Sequence, residues 1–481
     1  MKIIIFTLLL LLCSPVFAGP LVTLTTNTQV DSYIQKSGYN GVILVAKEKN
    51  ILMKKAYGDT TLNNENGRPL VLSDKFEIGS ITKQFVAASL LKLQEEGKIS
   101  LDDEITKYLP YNSAYNSVLK NIRIRDLLNH SSGVANYTDQ EKFWDMVEYS
   151  RVLTLDEIID FILPLPFDFE VRTQWKYSNS GYILAGKILE IVSNESWDQY
   201  IKNHFLIPLG MTDTGTTTYF ENVSQAVGHM MQNGTLVPFT AFNLSWAQSA
   251  GALYSTVDDL LKWMAIYDET DLLSASSKKE MQTPFLRDYA LGIGVKPFKD
   301  ERMISHGGRT PGFVSNVTYL DKTKLSIICL DNIDGSVAGI GDVLLLYFTE
   351  GKAEAIKLDD YAMTENQLNQ FVGAYECDTL KIKLLIQNGT LYLLPDGQRA
   401  YKMRPNDVDS FDLERFAAEE FFRNESGAVT GFTHYQGRTT STCKKVADMT
   451  DKNLTWPIQA IKSEQRPWLN EINSFEQDLK F

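Results

Sequence analysis

Three short patterns carry side chains that could act on a substrate. Ser80-Ile81-Thr82-Lys83 sets a hydroxyl and an ammonium one helical turn apart, so both share a face if a helix opens at the serine. A serine there lies at the positive end of the helix dipole, and its own amide can donate to an oxyanion. The neighbouring ammonium lowers the cost of an alkoxide, or acts as base if burial depresses its pKa. The plainer reading is a helix cap. Tyr177-Ser178-Asn179 sets a phenol and a carboxamide two residues apart, as a proton shuttle near a cation or simply as a core tyrosine before a turn. Ser305-His306-Gly307-Gly308 precedes a strand-like run, and its glycines form a flat edge that a substrate backbone could approach. Ser-x-x-Lys is weak alone, since it recurs at Ser89/Lys92, Ser117/Lys120, Ser276/Lys279 and Ser441/Lys444. Only Ser80 stands just ahead of an apolar helical run after Phe76-Glu77-Ile78-Gly79.

These patterns need elements to hold them. The run 81–96 reads as a helix stopped by Gly97, and 182–192 reads as another. Residues 41–57 alternate as a hairpin, strands return over 313–331, and a helix is expected near 337–349. Strands thus open and close the region while helices fill its middle. That order predicts an antiparallel sheet whose first and last strands are neighbours. From about 368 to 447 short β runs recur between turn signals, among them Phe371–Tyr375, Lys381–Ile386, Thr390–Leu394 and Phe432–Tyr435. They predict a small barrel or sandwich. The expected organisation is 1–18 leader, 19–357 mixed α/β domain carrying the three patterns, 358–450 small β domain and 451–481 tail.

Taken in order, Ser-x-x-Lys, Tyr-x-Asn and His-x-Gly resemble the motifs of the serine β-lactamase-related hydrolases. These include class C β-lactamases, D-alanyl-D-alanine carboxypeptidases and other penicillin-binding proteins, D-aminopeptidases and esterases. Further stretches are similar: the nucleophile helix and turn over 81–103, Leu127-Leu128-Asn129-His130-Ser131-Ser132-Gly133, Pro208-Leu209-Gly210-Met211, and Gly251–Leu260. The likeness covers roughly 25–350, and the later β region is similar to a lipocalin-like barrel. The resemblance implies an α/β (α+β) core with an antiparallel sheet flanked by helices, an all-helical lobe, and the site in the cleft. Ser80 would be acylated, with Lys83 and Tyr177 moving protons. Asn179 would hold substrate and lysine, and His306, Gly307, Gly308 and Arg309 would line the substrate strand. The amides of Ser80 and Arg309 would form the oxyanion hole. His130 would be structural, packed away from the nucleophile. Gly307 departs from the pattern, in which a threonine hydroxyl often binds a substrate carboxylate.

The chain has 481 residues, 44% hydrophobic and 22% charged, with net charge −13. That composition is globular, and no basic footprint for nucleic acid is visible. Five His and four Cys without CxxC or HExxH point to chemistry with no metal and no cofactor. Lys2, the apolar run to Leu12 and Val16-Phe17-Ala18 predict a secretory signal cleaved after Ala18. A retained anchor, a buried strand or acylation at Cys13 are the alternatives. A periplasmic or secreted location follows. Export permits disulfides. Cys377 and Cys443, on the first and last β runs, could bond or stay buried thiols, and Cys329 should be free. No Gly-x-Ser-x-Gly exists; the nearest match centres on Ser249. The expected function is an exported serine hydrolase acting through an acyl-enzyme on a small ester, amide or short D-peptide. The alternatives are a β-lactamase, a D-Ala-D-Ala carboxypeptidase, or a non-catalytic cell-wall peptide binder.

Overall fold

The computed structural model describes residues 21–62, 67–109, 119–147, 152–216, 226–232, 235–239, 243–333, 340–356, 361–377, 380–387, 389–395, 401–413, 417–436 and 439–447. The leader with its Ala18 site and the tail with Trp456 and Trp468 lie outside them. Two compact units are present. One runs over Val30–Leu345; the other joins the chain before it to Leu346–Leu454.

In the first unit a six-stranded antiparallel sheet runs Asn50–Tyr57, Gly41–Lys47, Leu325–Asp331, Phe313–Leu320, Glu301–Thr310, Gly294–Phe298. The first hairpin and the late strands do meet, with Ile43 opposite Cys329. Gly41–Lys47 and Leu325–Asp331 are buried almost throughout because both faces of the sheet centre are covered, which continuous Val/Ile/Leu runs suit. Glu301–Thr310 outruns its outer neighbour, whose pairing ends at Gly294 opposite Ser305.

Helices fill the middle of this unit. Thr82–Glu95 is buried on nearly every side, as its mostly uncharged sequence allows. Phe85 stacks on Trp263 at 3.7 Å. The Gln84 carboxamide oxygen accepts from the Trp263 indole (2.8 Å) and the Tyr267 hydroxyl (2.7 Å), while its Nε2 is buried with no hydrogen-bond partner among the described residues. The helix ends where Gly97 takes φ +70° and the Lys98 amide reaches back to the Leu93 carbonyl. A second helix, Asn179–Ser193, begins three residues before the expected 182. The helix expected near 337–349 is described as Ile340–Glu350.

In the second unit eight antiparallel strands close into a barrel. Its core holds Leu384, Phe411, Phe421 and Phe432. The first strand, Gly373–Glu376, starts two residues later than the β run at Phe371 suggested. It pairs with the last, Thr439–Ala447, and Cys377 is bonded to Cys443 across that seam. Leu21–Leu24 pairs with Ala353–Ile356 in this same unit. Among the described residues no helix is long and apolar enough to cross a membrane.

Candidate active site

Ser80 sits in a 3-10 turn, Gly79–Ile81, that feeds directly into the helix at Thr82. Its hydroxyl oxygen takes no capping role. It accepts from Lys83 Nζ at 2.9 Å and from the Tyr177 hydroxyl at 2.7 Å. Lys83 is fully buried. Its ammonium also donates to Asn179 Oδ1 (2.7 Å) and to the Ala250 carbonyl (2.8 Å). Three N–H donors thus meet three neutral oxygens, which is what a buried ammonium needs. The Tyr177 and Tyr182 rings lie 4.8 and 5.4 Å from the same nitrogen.

Tyr177 and Asn179 come from the segment that starts the second helix. The Asn179 amide, an orphan donor at that helix end, is accepted by Asn136 Oδ1 at 2.9 Å. Asn179 Nδ2 donates to Thr138 Oγ1 at 3.1 Å, which turns its carbonyl oxygen toward Lys83. His130 does not pack away from the nucleophile. Its ring lies 4.3 Å from the Tyr177 ring, because residues 129–138 wrap the start of this helix.

On the strand Glu301–Thr310, His306 and Thr310 alternate inward with Gly308 between them. His306 is buried, with the Tyr289 hydroxyl 2.8 Å from Nε2 and the Gly307 carbonyl beside Nδ1. Burial, and then the Lys83 charge, push this imidazole down to about 3, so it is neutral at ordinary pH. Gly308 is required for a different reason than an open edge. A Cβ there would fall 1.9 Å from the Ile78 carbonyl oxygen, so the glycine lets the strand and the serine turn meet. Gly79, at φ +48°, is the matching half: its Cβ would lie 2.5 Å from the Arg309 nitrogen. Thr310 donates to Glu77 Oε2 at 2.6 Å. Burial still raises that carboxyl to about 7.

A pocket opens over Ser80. Its walls include Tyr137, Trp246, Gly251, Arg309 and Thr310. The sequence motifs thus converge, but Tyr137, Trp246 and Ala250 were not among the expected residues. Ala250 acts through its carbonyl, which leaves no side-chain signal. Ser249 is ruled out as a rival nucleophile. It is fully buried, and its hydroxyl donates to the Tyr182 carbonyl at 2.8 Å.

The Beta-lactamase family model matches residues 28–344, well over half of the chain. The chain belongs to the beta-lactamase family. This beta-lactamase-family chain is 26% identical over 396 residues to Protein flp of Staphylococcus aureus, covering 79% of this chain and 76% of that one. It is 25% identical over 443 residues to Penicillin-binding protein 4* of Bacillus subtilis, covering 84% and 94%. Among solved structures it is similar to the D-amino acid amidase from Ochrobactrum anthropi SV3 complexed with L-phenylalanine amide. That likeness has TM-score 0.53 and 25% identity, and covers 63% of this chain and 91% of that one. The fold is the β-lactamase/transpeptidase-like core with a separate closed barrel, and the protein is a serine hydrolase of this family.

Proposed function

We propose that this protein is exported and hydrolyses small amides or esters through an acyl-enzyme on Ser80. The preferred substrates lack a free C-terminal carboxylate, as in D-amino-acid amides or peptides read from a D-residue amino end. The observation that carries the reading is the Ser80 oxygen held between Lys83 Nζ and the Tyr177 hydroxyl, at the mouth of an aromatic pocket. For attack, the Ser80–Tyr177 bond reverses. Tyr177 first gives up its own proton to solvent, and the resulting phenolate, stabilised by the Lys83 cation, takes the serine proton. The serine oxygen adds to the carbonyl carbon, and the same proton leaves with the amine or alcohol; a water then gives a proton to the Tyr177 oxygen as it adds to the acyl carbon, and that proton returns to Ser80 Oγ as the acid leaves. Amides of Ser80 and Arg309 would receive the oxyanion, and the position a Gly79 Cβ would take, 2.5 Å from the Arg309 nitrogen, supports their closeness. Asn179 anchors Lys83.

Two features favour substrates without a carboxylate. Gly307 offers no hydroxyl, and the Thr310 hydroxyl is already donated to Glu77. Arg309 on the pocket wall favours the second reading, a penicillin- or D-Ala-D-Ala-recognising enzyme. The amidase similarity supports the first and the penicillin-binding relatives support the second. Export is supported by the N-terminal apolar leader and by the Cys377–Cys443 bond, which suits an oxidising compartment.

Intact mass after exposure to a fluorophosphonate tests the acyl-enzyme: one adduct on the wild type and none on Ser80→Ala are expected. Comparing kcat/KM for a D-amino-acid anilide, a p-nitrophenyl ester, nitrocefin and a D-Ala-D-Ala peptide ranks the substrates. A hundredfold advantage for either of the last two would overturn the preference.

A further inference from the structure

We infer that His130 is a positioning residue for acylation, holding the Tyr177 phenol against Ser80 from both flanks of the tyrosine and from its ring face. The inference rests on the reading of Ser80, Lys83 and Tyr177 given above.

The residues on either side of Tyr177 are both tied to His130. The Lys176 amide donates to the His130 carbonyl, and the Ser178 amide donates to His130 Nδ1, each at 3.2 Å. Between these two anchors the imidazole lies 4.3 Å from the phenol ring, tilted by 39°. One residue therefore sets the backbone path through Tyr177 and one wall of its ring. The hydroxyl at the far end of that ring is the one 2.7 Å from Ser80 Oγ.

The imidazole is doing more than filling space. Because Nδ1 accepts from Ser178, the ring proton of the neutral form is on Nε2. Nε2 is buried with no hydrogen-bond partner among the described residues. It is left among the rings of Trp175, Tyr177, Tyr182 and Tyr289. A buried donor without a full partner carries a desolvation cost, and ring faces offset only part of it. His130 also holds φ +62°, a conformation most side chains avoid. An apolar residue would remove the first cost but could not accept from Ser178. Burial, then the Lys83 charge, keep the imidazole well below its ordinary pKa. Nδ1 thus remains an acceptor; protonation would turn it into a second donor facing the Ser178 amide.

The test compares fluorophosphonate acylation rates, kcat and KM in the full chain. The variants are His130→Asn and His130→Gln, each with Tyr177 and with Tyr177→Phe. Asparagine tolerates the positive φ and offers an oxygen near Nδ1, but it lacks the ring. Glutamine provides a second route should the asparagine variant fold poorly. Misplacing the phenol by about an ångström should lower acylation and kcat by about 10–100-fold, with KM changed less than about threefold. In the Tyr177→Phe background the same substitutions should change the rate by less than about twofold, because the hydroxyl they position is gone. Equal losses in both backgrounds, or no loss with Tyr177 present, would overturn the role of His130 alone. A wild type that takes no label, or a Ser80→Ala variant that still does, would overturn the proposed function and the role of His130 with it.

Discussion

Lys83 is the residue whose surroundings say most about the chemistry. Its ammonium is buried, yet it meets the oxygens of Ser80, Asn179 and Ala250. A lysine so placed would stabilise negative charge on either neighbour, the serine oxygen or the phenol, which in the proposed mechanism makes Tyr177 the proton carrier. Tyr177→Phe should lower kcat by about 10²–10⁴-fold with KM little changed, since the lost group acts in proton transfer. Steady-state kinetics with a p-nitrophenyl ester checks it, and a parallel rise in KM would point to a binding role instead. His306 yields a pH prediction of opposite character. Its folded pKa of about 3 lies below the ordinary 6.5, so between those values the unfolded chain binds the extra proton. Stability should fall as pH drops from about 6.5 toward 3, by about 1.4 kcal/mol for each unit of lowering. Urea midpoints at pH 7 and pH 4 should differ less in His306→Gln than in the wild type. No limb of the activity profile near neutrality should belong to this histidine.

At the scale of elements, the site is a contact between a turn and a strand. Gly79 and Gly308 allow Ile78–Ser80 and Gly308–Arg309 to approach backbone to backbone. Gly308→Ala must push the strand off the Ile78 carbonyl, so acylation should fall by about a hundredfold. The accompanying stability loss should be about 1–3 kcal/mol, the usual cost of overpacking. Labelling kinetics and thermal melts separate the two effects. Gly307 is a different case, because the neighbouring positions that face the serine turn are His306 and Gly308. Gly307→Thr would restore the hydroxyl, and a hydrogen bond to a charged carboxylate is worth about 1.5–3 kcal/mol. The ratio of penicillin acylation to ester hydrolysis should then rise about tenfold or more, as read by competition labelling. An unchanged ratio would mean that Arg309 already serves carboxylates. The helix Thr82–Glu95 was legible because a serine ahead of an apolar run and a glycine after it are local signals. The start of Asn179–Ser193 is not marked locally, since its first turn is polar and its amide is accepted by a residue distant in sequence, Asn136.

At the scale of the whole molecule, the barrel lies in a different unit from Ser80 and is closed through hydrogen bonds and through Cys377–Cys443. The two cysteines are 66 residues apart, and closing a loop of that length is worth about 4 kcal/mol in the chain-entropy account. Replacing both with serine should bring the barrel's melting transition down while Ser80 still takes up fluorophosphonate. Calorimetry with labelling at each temperature checks it, and a single unchanged transition would argue against the estimate. Sequence alone determined the order of the three motifs, the two-part division into a mixed α/β region and a β region, and the pairing of early with late strands. These follow from periodicity, turn residues and spacing, which are local properties of a chain. That Lys83 bonds a carbonyl 167 residues away, that His130 lies against Tyr177 and that His306 is neutral emerge with the folded chain. Those depend on which distant groups come within a few ångströms and on how much water is excluded around them, and neither quantity is written in residue spacing.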